Sequence, residues 1–200
     1  MKTGIVDYGA SNLKSVKKAF DFLGAENEII TSPDAFEKLD RLVLPGVGSF
    51  GHAIQKIHEH HLFLPLQKWL ASDKPFLGIC LGLQLLFEHS EESPDVLGLG
   101  FFKGTCRRFQ ETKVPQIGWN SIHFKKEADL FKNIQEQSYF YFIHSYYVDP
   151  QDRTEILAST EYGLEYESMM ERSKVCAVQF HPEKSGDLGI ALLQNWLDSY

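Results

Sequence analysis

Lys74-Pro75-Phe76-Leu77-Gly78-Ile79-Cys80-Leu81-Gly82-Leu83-Gln84-Leu85-Leu86-Phe87-Glu88 is the stretch on which the reading of this chain turns. Pro75 opens an apolar run with the texture of a short buried strand. From Gly82 onward, Leu83, Leu86 and Phe87 fall at helical spacing and predict a helix. Between them lies Gly78-Ile79-Cys80-Leu81-Gly82, a cysteine version of the G-x-S-x-G nucleophile elbow. Such a strand-to-helix turn strains its central residue and leaves no room for side chains at the flanking positions. It seats the Cys80 sulfur at a helix N-terminus, where unpaired N–H groups and the helix dipole favour a thiolate. The Leu81 N–H then points to where an oxyanion would sit. The same residues also suit a buried structural cysteine in a Gly-rich turn, so the decision rests on the remainder of the chain.

That remainder is a globular sequence of 200 residues, 43% hydrophobic and 24% charged, and is expected to form one domain over residues 1–200. A net charge of −7 argues against a phosphate-backbone partner. No apolar run approaches the roughly 18–20 residues of a membrane span, and Met1-Lys2-Thr3 leads straight into Gly4-Ile5-Val6, too short for a signal peptide. Cys80, Cys106 and Cys176 are odd in number and widely spaced, which implies a reducing, cytoplasmic setting without disulfides or a zinc site. Cys176 reads as a core residue; Cys106, beside Arg107 and Arg108, is a candidate for a lowered thiol pKa that no elbow presents. His58, His60 and His61 read as a solvated helix end, so neither metal nor cofactor is expected.

Thr3–Asp7 reads as a first strand, Leu13, Val16, Phe20 and Leu23 as one face of a helix ended by Gly24, with Ser11 or Asn12 as its cap. Glu28–Thr31 and Arg41–Leu44 continue the strands, with a short helix at Ser32-Pro33 between them; this alternation implies a parallel sheet covered on both faces. Pro45-Gly46-Val47-Gly48-Ser49-Phe50-Gly51 follows the third strand. It has neither the lysine of a P-loop nor the G-x-G-x-x-G pattern, so it suits a backbone-amide donor loop or a plain connection. Helices are expected near Ala53–His58 and Phe63–Leu70. From Gly98 the texture becomes strand-like over Thr105–Gln110, Gln116–Phe124, Tyr139–Asp149, Glu155–Thr160, Leu164–Met170 and Val175–Phe180, with one helical interruption near Ala128–Ile134. Gly189–Leu197 closes the chain as an amphipathic helix. The expected architecture is an α/β core, mostly parallel, extended by antiparallel strands.

The last predicted strand runs into His181-Pro182-Glu183-Lys184-Ser185. In extended chain, residues i and i+2 share a side, so Glu183 is placed to steer the His181 imidazole toward taking a thiol proton. A surface His and Glu in a strand-terminal turn would show the same spacing.

Taken together, the N-terminal βα half, the elbow Gly78-Ile79-Cys80-Leu81-Gly82-Leu83-Gln84 and the late His181-Pro182-Glu183 resemble the class I glutamine amidotransferase family. Asp7-Tyr8-Gly9 with Asn12, Pro45-Gly46-Val47-Gly48-Ser49-Phe50, and Pro115-Gln116-Ile117-Gly118-Trp119-Asn120 with His144-Ser145-Tyr146 are similar to its branch serving imidazole glycerol phosphate synthesis. The resemblance covers essentially the whole chain. One departure is Ser11, where that branch often has a second glycine. The resemblance implies a three-layer, flavodoxin-like α/β/α fold and a glutaminase using Cys80, His181 and Glu183. It implies an oxyanion site at Gly46, Val47 and Leu81, and glutamine binding by Gly48, Gln84 and the His144, Ser145 and Tyr146 segment. It further implies a (β/α)₈ cyclase subunit as heterodimer partner, receiving ammonia for histidine biosynthesis and met by Asn12, Trp119, Tyr141 and Lys184. A glutaminase serving GMP or anthranilate synthesis, a cysteine peptidase, and a catalytically silent scaffold are the competing readings.

Overall fold

The computed structural model describes residues 1–9 and 13–200, so the expectations placed on Ser11 and Asn12 lie outside the described residues. The first half runs β1 (Thr3–Val6), α1 (Leu13–Phe22), β2 (Asn27–Ile30), β3 (Arg41–Gly46), α2 (Phe50–Glu59), α3 (Phe63–Ala71), β4 (Phe76–Cys80) and α4 (Leu81–Leu85). The second half runs β5 (Phe87–Ser90), β6 (Phe102–Arg108), β7 (Gln116–Ser121), β8 (His123–Phe124), β9 (Tyr139–His144), β10 (Tyr146–Pro150), β11 (Ile156–Glu161), β12 (Glu165–Arg172), β13 (Val175–Val178) and α5 (Gly186–Ser199).

The main sheet has the order β2-β1-β3-β4-β13-β12-β10-β6-β5. Pairing is parallel from β2 through β13 and antiparallel from β13 through β6, with β5 returning parallel to β6. Side chains of the central strands alternate between two cores, as the pleat requires. Leu42, Leu44, Phe76, Val175 and Ala177 face the core shared with α2 and α3. Val43, Leu77, Ile79, Cys176 and Val178 face the core shared with α1 and α5. Helices on both faces explain why the parallel strands are continuous apolar runs rather than alternating ones. This is the three-layer α/β/α arrangement with an antiparallel extension that the sequence implies.

Five expectations need correction. The helix after the elbow ends at Leu85, and Phe87 opens β5 instead of completing a helical face. Every residue from Leu81 to Phe87 is buried, so helical periodicity carries no information there. Tyr139–Asp149 is two strands: β9 pairs with β7 in a separate ribbon, whereas β10 joins the main sheet. Gln116–Phe124 likewise divides, and only Asp129–Phe131 of the Ala128–Ile134 segment is helical, as a 3₁₀ turn. Finally, Cys106 is fully buried and burial pushes its thiol pKa far up, so the neighbouring arginines do not activate it.

The elbow depends on close approach of backbones. A Cβ on Gly82 would lie 1.9 Å from the Leu44 carbonyl oxygen in β3, and one on Gly78 would lie 3.0 Å from Gly82. Gly82→Ala must push α4 away from β3, and we expect it to lower the unfolding free energy by about 2–3 kcal/mol. Urea denaturation of the variant against the parent chain measures this; an unchanged midpoint would contradict the packing.

Candidate active site

Three strands bring the chemistry together. β3, β4 and β13 lie side by side and parallel, with Gly46 opposite Cys80 and Val178 opposite Ile79. Their carboxyl ends therefore deliver the Gly46-Val47-Gly48 loop, Cys80 and the approach to His181 to one edge of the sheet. In open α/β sheets this edge is where ligands bind.

Cys80 has φ 55° and ψ −108°, a backbone conformation that side-chain-bearing residues avoid, at a cost of about 1–3 kcal/mol. The strain lifts the sulfur out of the strand line toward a cavity of about 280 Å³. Val47, Gly48, Cys80, Leu81, Gln84, His144, Ser145, Tyr146 and Lys184 all line that cavity, together with Glu92, Pro115 and Ile143. The volume suits a single small polar molecule rather than a peptide segment. Leu81 is the first residue of α4, so its N–H has no partner within the helix. Gly48 has φ +101°, and a Cβ on Gly46 would lie 2.3 Å from the Tyr8 hydroxyl. Both glycines are thus required by the loop's path.

His181 is 1% exposed. Its N–H donates to the Tyr141 carbonyl in β9 at 2.9 Å, and Ser185 Oγ donates to the His181 carbonyl at 2.7 Å while accepting from the Tyr141 N–H at 3.0 Å. The segment after β13 is thereby clipped onto β9. Glu183 is not on extended chain beside His181; it sits in the 3₁₀ turn Pro182–Lys184, which curls the carboxylate back to the ring. Its Oε1 lies 2.8 Å from His181 Nδ1, and the Glu183 side chain is fully buried. Nδ1 must carry the proton facing a carboxylate, which leaves Nε2 for Cys80. Nε2 is buried without a hydrogen-bond partner of good geometry among the described residues. Burial by itself would lower the His181 pKa. The negative charge of a Cys80 thiolate, and then that of Glu183, outweigh burial and raise the pKa from 6.5 to about 10.

His144 is placed differently. Burial lowers its pKa to about 4, so the ring is neutral. Nδ1–H donates to the Tyr146 carbonyl at 2.8 Å, and Nε2 lies 3.2 Å from the Tyr166 hydroxyl, itself 3.0 Å from Gln116 Oε1. The imidazole shapes the backbone turn between β9 and β10, whose carbonyl and amide groups border the cavity. Gln84 Nε2 donates both to the Tyr146 carbonyl at 2.9 Å and to Gln179 Oε1 at 3.1 Å, which leaves its own oxygen for a ligand's ammonium or amide hydrogen. Gln179, Tyr166 and Glu92 escape the sequence reading, and Tyr8 enters it only as part of a motif, without a role. Each is polar and buried or half-buried on an element whose periodicity marks it only as core or loop.

Of the remaining expected positions, Trp119, Tyr141 and Lys184 lie together beside the cavity. Lys184 Nζ lies 5.8 Å from the Tyr141 ring centroid, and Tyr141 meets Trp119 edge-to-face at 6.2 Å. Trp119 is 56% exposed, and Ile117 and Tyr139 on the same ribbon are exposed as well. His58 stacks on Phe63 at 4.2 Å, and no group of three or more His, Cys, Asp or Glu among the described residues is arranged to hold a metal ion.

The raised His181 pKa makes folding pH-dependent. Its contribution to stability is fully present below about pH 6.5 and is lost as pH climbs toward 10. His144 acts in the opposite sense, removing stability as pH falls from 6.5 toward 4. We expect Glu183→Gln to lower the His181 titration midpoint by more than about one unit, read by NMR of the imidazole protons. An unmoved midpoint would show that the carboxylate does not hold the proton.

The whole chain is also similar to known proteins. Residues 4–199 match the family model described as glutamine amidotransferase class-I. The imidazole glycerol phosphate synthase subunit HisH of Aquifex aeolicus is 44% identical, over 98% of this chain and 96% of that protein. The HisH subunit of Methanocaldococcus jannaschii is 43% identical over 98% of both. The structure of PurLQS from Thermotoga maritima superposes with a TM-score of 0.78 over 99% of this chain and 98% of that one, at 18% identity, a likeness of fold. By its family match and its full-length relatives, the chain belongs to the class I glutamine amidotransferases, alongside the HisH subunits of imidazole glycerol phosphate synthase.

Proposed function

We propose that this chain, as one domain over residues 1–200, is the glutaminase subunit of an imidazole glycerol phosphate synthase, working in the cytoplasm. One observation carries the chemistry: Glu183 holds the buried His181 imidazole at 2.8 Å, beside a strained Cys80 that opens onto a cavity sized for one amino acid. Glutamine lies with its carboxamide at Cys80 and its amino-acid end toward Gly48, Gln84, Ser145 and Tyr146. The Cys80 thiolate attacks the carboxamide carbon, and the carbonyl becomes an oxyanion met by the Leu81 N–H and the Gly46-Val47-Gly48 peptides. His181 passes its Nε2 proton to the nitrogen, the C–N bond breaks, and ammonia leaves a γ-glutamyl thioester. His181 then takes a proton from water as it attacks the thioester. The C–S bond breaks, releasing glutamate and restoring the thiolate, while Glu183 holds the ring throughout.

Ammonia is useful to a synthase only if it reaches the next site before solvent. The exposed β7–β9 ribbon, with Trp119, Tyr141 and Lys184 at the cavity rim, is the docking face for a (β/α)₈ cyclase subunit. Lys184 follows Glu183 directly and also lines the cavity, so partner contact there reaches the histidine–carboxylate pair through one turn. Rotation of the Val47 peptide, which the flanking glycines permit, is the switch that completes the oxyanion site.

Glutamate release tests the assignment, measured for the chain alone, with the cyclase subunit, and with that subunit's nucleotide ligand added. The expected pattern is near silence alone and strong stimulation in the full mixture. Equal activity with and without the cyclase would reject the partner. Cys80→Ala should remove at least about 10⁴-fold of the stimulated rate. Lys184→Ala should lose stimulation while still assembling; full stimulation would reject the coupling contact.

A further inference from the structure

Beyond the three residues assigned to the chemistry, the Cys80 sulfur has two neighbours whose roles are opposite. It lies 3.8 Å from the Ile143 carbonyl oxygen, and Gln179 Nε2 lies 3.7 Å from it. A carbonyl can only accept, so Ile143 suits the neutral thiol. An amide N–H can only donate, so Gln179 suits the thiolate. The orientation of the Gln179 amide is not free. The Tyr146 carbonyl can only accept, so the Gln84 atom 2.9 Å from it is the nitrogen; that same nitrogen faces Gln179, which must therefore present oxygen to Gln84 and nitrogen to sulfur. Gln179 is fully buried, and its backbone N–H is bound to the Ser168 carbonyl at 2.9 Å, which fixes the side chain's origin on the sheet.

We propose that Gln179 is a positioning residue for Cys80: its amide N–H supports the thiolate over the thiol, in an orientation imposed through Gln84 by the glutamine-binding turn. This rests on the reading of Cys80 as the nucleophile. The link runs from the Tyr146 carbonyl, which borders the cavity, to the reacting sulfur in three hydrogen bonds. A substrate bound at Gln84 and Tyr146 thus steadies the amide that steadies the thiolate. The other titratable groups facing this sulfur are His181 with Glu183 behind it, Tyr8 after β1, and Tyr166 on β12. His144 on β9 stands beyond them, and Glu92 and Lys184 face the sulfur across the cavity. None of these is altered by substituting Gln179.

The test is the pH profile of Cys80 alkylation by iodoacetamide, followed by mass spectrometry of the Cys80 peptide in the full chain. Cys106 and Cys176 are buried with strongly raised thiol pKa values and serve as unreactive references. Gln179→Met keeps the length and removes the donor, and should move the alkylation midpoint up by roughly one pH unit. Gln179→Glu places an acceptor there and should move it further. In the stimulated complex with the cyclase, kcat for glutamine should fall about 10–100-fold with KM changed less than about threefold. An unmoved midpoint in both folded variants, or a KM rise as large as the fall in kcat, would overturn the assignment. If the Gln179 variants do not fold, Gln84→Met, which releases the Gln179 amide, should still shift the midpoint upward; no shift would overturn it. Alkylation needs no turnover, so a shifted midpoint in a chain without glutaminase activity would reject the proposed function and leave this assignment standing.

Discussion

The parallel pairing of β3, β4 and β13 is the constraint on which the site depends. Gly46 stands opposite Cys80, and Val178 opposite Ile79, so three loops leave the sheet at the same height. A slip of one residue in either pairing would send the sulfur and its neighbours to opposite faces. The register is held because each strand alternates between two filled cores, and Gly82 lets α4 settle against Leu44. The packing that stabilises the sheet thereby also sets the distances in the cavity.

The antiparallel extension supplies what the parallel half lacks. β9 receives the His181 segment through Tyr141 and Ser185, and the turn into β10 forms one wall of the cavity. That turn exists because the chain leaves a two-stranded ribbon and enters the main sheet within one residue, at Ser145. Its geometry is maintained by a buried neutral imidazole. The ring bridges the Tyr146 carbonyl and the Tyr166 hydroxyl, which donates to Gln116, and burial keeps it neutral near neutral pH. Two histidines a short distance apart are thus driven to opposite protonation states. Glu183 and Cys80 hold a proton on one, and desolvation removes it from the other.

The elbow, the alternation of strands and helices before it, and the His-Pro-Glu segment were legible in the chain alone. Each is local: a turn that needs glycine on both sides, an apolar run of strand length, a carboxylate two residues from an imidazole. Even there the reason shifted, since Glu183 reaches His181 through a 3₁₀ turn rather than along extended chain. Tertiary structure decided the rest. Phe87 leaves the helical pattern because the whole run Leu81–Phe87 is buried and its periodicity says nothing, Tyr139–Asp149 divides between two sheets, and Gln179 meets Cys80 although 99 residues separate them. Periodicity reports which side of an element is apolar, but not which polar atoms a fold will press together. The polar contacts around Cys80 come from pairing strands distant in the chain, and only the assembled sheet contains that information.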